Sequence, residues 1–193
     1  MVQERRLTAC YGRQTLKATK YITRAAVILA LTVVLQFALR AMIPEGINTW
    51  FVGSVVNLGI LLAVETTGLW AGALVAMTTP VTAYLQQHLP SPIMIPAVML
   101  GNLVLAFLFW IIIRRGNSKS WLRWIGLVVG SAAKMVFLYL IMRLLLSTLV
   151  TLPPAKTAII LASFSFPQFV TAMLGGIFES LIAGRIKPLA ANS

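Results

Sequence analysis

Six apolar stretches, at residues 25–39, 49–64, 68–85, 93–113, 124–150 and 157–186, occupy most of this 193-residue chain. Each approaches the roughly 20 residues that a helix needs to cross the hydrocarbon of a bilayer, and their ends are expected to extend by a few residues. The second and third stretches are separated only by Glu65, Thr66 and Thr67, which reads as a tight hairpin. A single long helix there would bury the Glu65 carboxylate in lipid. Only 10% of the residues are charged, against about 25% in soluble domains, so a soluble globular fold is excluded. A hydrophobic share of 59% excludes disorder as well. The expected fold is all-α, a polytopic membrane protein with six transmembrane helices.

The basic residues give this arrangement a direction. Arg5, Arg6, Arg13, Lys17, Lys20 and Arg24 precede the first stretch, Arg114, Arg115, Lys119 and Arg123 lie between the fourth and fifth, and Arg185 and Lys187 close the sixth. With six spans all twelve fall on one side, and five or seven spans would break the sorting. The positive-inside rule then puts both termini in the cytoplasm. The expected organisation is a basic cytoplasmic segment at 1–22, a six-helix membrane domain at 23–188 and a short tail at 189–193. The basic segment has no small-residue cleavage signature after the first apolar run and reads as retained; it is a candidate for contact with anionic membrane lipid.

The same inventory removes most chemistry. The chain has no Asp, one His (His88) and one Cys (Cys10), so no aspartyl dyad, HExxH zinc site or internal disulfide can be built. It has no P-loop and cannot hydrolyse ATP by itself. The net charge of +12 is explained by topology, which leaves a nucleic-acid role without support. No inverted repeat or well-placed coupling carboxylate points to a secondary transporter. Glu65 and Glu179 fall toward the basic side and read as structural ion pairs. No cofactor and no enzymatic activity are expected.

Polar residues inside a bilayer need a partner or a water-filled cavity. Asn57, Thr78, Thr79, Thr82, Asn102, Lys134, Ser165 and Gln168 all map to the middle or to the half of their spans away from the basic side, and Arg40 closes the end of the first span. This asymmetry points to a polar pocket opening outward, lidded by the loops at 42–50, 86–92 and 151–156. The expected substrate-binding residues are Arg40, Asn57, Thr79, Tyr84, Asn102, Lys134 and Gln168. The default reading of Tyr84, together with Trp50 and Tyr139, is as an interfacial belt residue. Lys134 has no evident acidic partner in the membrane, so a ligand carboxylate or backbone carbonyls could satisfy it. Pro167 is expected to kink the sixth helix beside the pocket. Small-x3-small spacings occur at Gly68/Gly72/Ala76, Gly126/Gly130 and Ala172/Gly176/Ser180/Gly184, where they suit close helix packing. Ala26 and Ala30 form a shallow groove on the otherwise bulky first span.

Together, Ala26-Val27-Ile28-Leu29-Ala30, Leu100-Gly101-Asn102, Ala133-Lys134, and Pro167-Gln168 with Gly175-Gly176 resemble the substrate-binding S components of energy-coupling factor (ECF) vitamin transporters, from about residue 20 to residue 187. The resemblance implies binding of a water-soluble vitamin or related micronutrient between the outer loops and outer helix halves. It implies docking onto a transmembrane coupling subunit through Ala26 and Ala30, with two cytoplasmic ATPases driving release by toppling in the membrane. Arg40, Lys134, Arg143 and Lys156 outnumber the outer-side acid Glu45, which favours an anionic or neutral ligand such as pantothenate, folate or riboflavin over cationic thiamine. The alternative is a ligand-free six-span scaffold like the cell-shape proteins of the MreD type, which would need no outer pocket; a small enzyme using Glu and His is a third, weaker reading.

Overall fold

The computed structural model describes the backbone of residues 2–87, 89–115, 120–149 and 153–191, and side chains within 18–44, 47–87, 89–115, 121–149 and 153–186. His88, Lys119 and residues 151–152 of the last connecting loop lie outside the described residues, as do the side chains of Glu45, Lys187 and the basic residues before 18. The described chain is helical with short connections: α1 (Val2–Met42), α2 (Glu45–Thr66), α3 (Leu69–Leu85), α4 (Met94–Arg115), α5 (Ser120–Thr148), α6 (Pro154–Ser163) and α7 (Phe166–Ala191). Five segments are long and apolar enough to cross a membrane, at Ala18–Met42, Ile47–Thr66, Met94–Arg115, Trp121–Thr148 and Pro154–Ile186, and α3 is a shorter apolar helix of 17 residues.

Each of the six apolar stretches of the sequence coincides with a helix or, for the last, with a pair. With no proline before Pro44, α1 continues as one helix through residue 22, where the basic segment was set off from the membrane domain. The last stretch breaks more sharply than a kink. Pro167 has no N–H for the carbonyl of Ser163 and its ring crowds that oxygen, so α6 ends at Ser163 and α7 restarts at Phe166.

Sequential helices pack side by side, α1 on α2, α2 on α3, α3 on α4 and α4 on α5, and α7 returns between α2 and α5. The α2–α3 hairpin closes when the N–H groups of Thr67 and Gly68 both bond the carbonyl of Ala63, each at 3.0 Å. Gly68 then sits at φ 112°, ψ 178°, a region essentially restricted to glycine.

Lipid offers no hydrophobic drive between helices, so contact depends on small residues that let backbones approach. The α2–α7 seam shows this at Gly175. A Cβ there would lie 2.7 Å from the Ser54 carbonyl oxygen, 2.7 Å from the Leu58 nitrogen and 2.8 Å from Asn57 Cβ. Gly72 faces Val64 and Gly176 faces Leu127 in the same manner, so these small-residue positions serve packing within the chain, whereas Gly184 meets nothing within 4 Å.

The core divides into two parts. One cluster, containing Ile60, Leu61, Val64, Val75, Leu105, Phe109 and Leu127, fills the bundle toward the end that carries Arg114, Arg115 and Arg185. At that end Arg123 of α5 donates from Nε to Glu65 Oε2 of α2 at 2.9 Å and from Nη2 to Glu179 Oε1 of α7 at 3.4 Å, tying three helices. A smaller cluster around Met94, Leu138, Met142 and Phe164 packs α4, α5 and the α6–α7 turn at the opposite end. Between the two lies the polar cavity.

Candidate functional site

A cavity of about 360 Å³ opens at the end away from the paired arginines, and all seven helices contribute to its wall. It lies beside two prolines and the amides that answer them. Pro80 cannot donate to the carbonyl of Ala76, four residues earlier. Asn102 Nδ2, on α4, reaches that oxygen at 3.4 Å. Pro167 likewise leaves the Ser163 carbonyl without its helical donor, and Gln168 Nε2 reaches it at 3.4 Å. Non-helical or interrupted backbone at membrane depth is tolerated where side chains satisfy it beside a cavity, and here both interruptions border the same one.

At its floor, Lys134 Nζ of α5 donates to Asn57 Oδ1 of α2 at 2.6 Å, and Asn57 Nδ2 donates to Thr171 Oγ1 of α7 at 3.4 Å. The chain of bonds fixes which end of the Asn57 amide faces the ammonium. Lys134 is 2% exposed and Asn57 1%. Among the described residues no carboxylate pairs with Lys134; the acids with described side chains, Glu65 and Glu179, are engaged by Arg123. Asn102 Oδ1 is buried without a hydrogen-bond partner, because its Nδ2 is turned to Ala76.

Six of the seven expected binding residues line this one hollow: Arg40, Asn57, Thr79, Asn102, Lys134 and Gln168. Tyr84 does not. It is one residue beyond Ala83, which does line the cavity, and the helical advance of 100° per residue turns its ring toward the cluster around Met94 instead. Arg143 and Lys156, counted among the cations on this side, are exposed and outside the cavity wall.

Gln36, which is not among the expected binding residues, also lines the cavity. It is fully buried on α1, donating from Nε2 to the Thr79 carbonyl at 3.4 Å and accepting from Thr82 Oγ1 at 3.1 Å. Its signal was available: a lone amide in the apolar run Val33-Val34-Leu35-Gln36-Phe37 meets the same depth criterion as Asn57 and Asn102. The aliphatic wall made by Val52, Val56, Val98, Ile159 and Ile160 could not have been picked out, because these residues differ from lipid-facing ones only in helix rotation.

α6 roofs part of the cavity through Ile159, Ile160 and Ser163, yet none of its residues is buried. On α1, Ala25, Ile28 and Leu29 pack against the core, while Ala26 and Ala30 are exposed among Val27, Leu31 and Val34. The alanine groove therefore lies on the outer face of the bundle.

No curated protein and no solved structure gives a significant match to the chain. The family model described as ECF transporter, substrate-specific component, matches residues 20–186, which contain every cavity residue and both alanines of the groove. With a substrate-sized polar hollow inside an apolar helical bundle, and that match across most of its length, the chain belongs to the family of ECF transporter substrate-specific components, multi-pass membrane subunits that bind a transported substrate and are not enzymes.

Proposed function

We propose that the cavity captures a water-soluble vitamin or related micronutrient, anionic or neutral, from outside a bacterial cell, and that the chain hands it inward through a transmembrane coupling subunit powered by two cytoplasmic ATPases. The observation that carries this reading is the convergence of Asn57, Asn102, Lys134 and Gln168 on one cavity at the end opposite the paired arginines. The positive-inside rule assigns the arginine end to the cytoplasm, so the cavity faces the exterior. The solid apolar cluster beneath it seals the route inward, which fits a subunit that captures substrate but does not conduct it alone. Such a subunit depends on a partner, and the exposed Ala26/Ala30 groove is the docking face for the coupling subunit, since small residues let another helix approach closely. α6, hinged at Phe164 and Ser165 and without a buried residue, is the element that closes over bound substrate.

The family match displaces the scaffold alternative, which had no use for a polar cavity. Native mass spectrometry of the purified chain with a panel of vitamins tests the proposal. One small molecule is expected to bind at unit stoichiometry, and binding is expected to fall when Gln168 and Asn102 are both replaced by Leu. Retention of every member of the panel equally, or of none, by folded protein would refute it.

A further inference from the structure

The cavity wall is more selective than a site for micronutrients in general requires. We infer that it takes a compact aliphatic carboxylate bearing hydroxyl or amide groups, with the carboxylate on Lys134, and that it discriminates against cations and flat fused-ring ligands. This rests on the reading of the cavity as the substrate site.

Charge comes first. Lys134 carries three N–H donors, one of which is directed to Asn57, and no carboxylate among the described residues neutralises it. A buried ammonium without a counter-ion is costly, and an incoming carboxylate removes that cost. Arg40, at the end of α1, also lines the wall. A cationic ligand meets repulsion from the Lys134 ammonium.

Shape narrows the class further. Among the described residues Phe164 is the sole aromatic one that lines the cavity, and Trp50, Tyr84 and Tyr139 lie outside the wall. A fused ring would find no pair of aromatic faces to stack between. The branched side chains of Val52, Val56, Val98, Ile159 and Ile160 suit an aliphatic body instead. A volume of about 360 Å³ is at the small end of the roughly 300–1,000 Å³ seen for ligand pockets. Thr49, Asn102 and Gln168 add polar groups to the wall that suit a ligand hydroxyl or amide.

Pantothenate and its neutral alcohol panthenol differ only where the carboxylate would meet Lys134, which makes them the discriminating probes. Isothermal titration of the full chain in detergent is expected to show pantothenate binding roughly 10- to 100-fold more tightly than panthenol, the range for a hydrogen bond to a charged group. Lys134→Gln is expected to erase that difference, and Asn57→Asp, which places a carboxylate beside the ammonium, to do the same. An undiminished preference for pantothenate in both variants overturns the assignment of Lys134. Riboflavin, folate or thiamine binding more tightly than pantothenate overturns the aliphatic-acid class. If that ligand is then excluded by the cavity-filling variant Val56→Trp, the cavity is still the substrate site; if it binds unchanged to Val56→Trp, that reading falls too. Absence of binding by any of the five compounds, with the fold verified by melting, overturns both.

Discussion

Pro80 has no N–H to give the Ala76 carbonyl, and Asn102 gives one in its place at 3.4 Å. This exchange joins α3 to α4, so an interruption in one helix holds the side chain of a cavity-lining residue on another. Asn102→Leu should destabilise the protein by about 1–3 kcal/mol, the cost of leaving a buried polar group unpaired. In a Pro80→Ala background the helix supplies its own donor, and the same substitution should cost less. A coupling energy of at least 0.5 kcal/mol is expected from a double-mutant cycle read by unfolding in mixed detergent. Additive effects would mean that Asn102 is held by packing alone. Lys134 and Asn57 work in a similar way, since the amide fixed by Thr171 presents its oxygen to the ammonium. That arrangement holds the Lys134 amine in a fixed position beside the cavity.

Two glycines in open surroundings separate backbone strain from packing among the helices. A Cβ on Gly68 or on Gly184 would meet no atom within 4 Å, yet only Gly68 has a positive φ, at 112°. Gly68→Ala is therefore expected to lower stability by about 1–3 kcal/mol through backbone strain. Gly184→Ala, inside α7, should be neutral or stabilising by up to about 1 kcal/mol. Thermal unfolding in the same detergent compares them, and equal effects would remove strain as the reason for glycine in the hairpin. The paired helices α6 and α7 present the complementary case. The Pro167 break divides what would be a span of 33 residues into α7, which packs between α2 and α5, and α6, which has no buried residue. α6 covers part of the cavity.

The whole molecule is polarised along its long axis. One end is solid, apolar and tied by Arg123 to Glu65 and Glu179; the other is hollow and polar. Around the outside, bulky apolar side chains face lipid, and the exposed Ala26/Ala30 groove interrupts them on α1. Because the groove is distant in chain and in packing from Lys134 and Asn102, capture and delivery should be separable. Ala26→Trp or Ala30→Trp is expected to abolish uptake in cells supplied with the coupling subunit and ATPases, while ligand affinity of the purified chain changes less than about threefold, within the range of surface substitutions. Loss of binding together with uptake would show that the groove belongs to the fold and is not a docking face.

Apolar length and the placement of basic residues are properties of the chain taken in order, and the bilayer reads them directly: about 20 apolar residues span it, and Arg and Lys stay on one side. The membrane-helix class, the positions of the helices and the gathering of Asn57, Asn102, Lys134 and Gln168 at one depth were therefore legible in the sequence. Depth, however, fixes only one coordinate of a side chain. Rotation about each helix axis and the approach of one backbone to another depend on contacts such as Gly175 against Ser54 and Leu58, which join residues far apart in the chain. Those contacts alone decided that Tyr84 turns away from the cavity while Gln36 turns in. They also decided that the carbonyls bared by Pro80 and Pro167 meet Asn102 and Gln168, and that the last apolar stretch is two helices and not one.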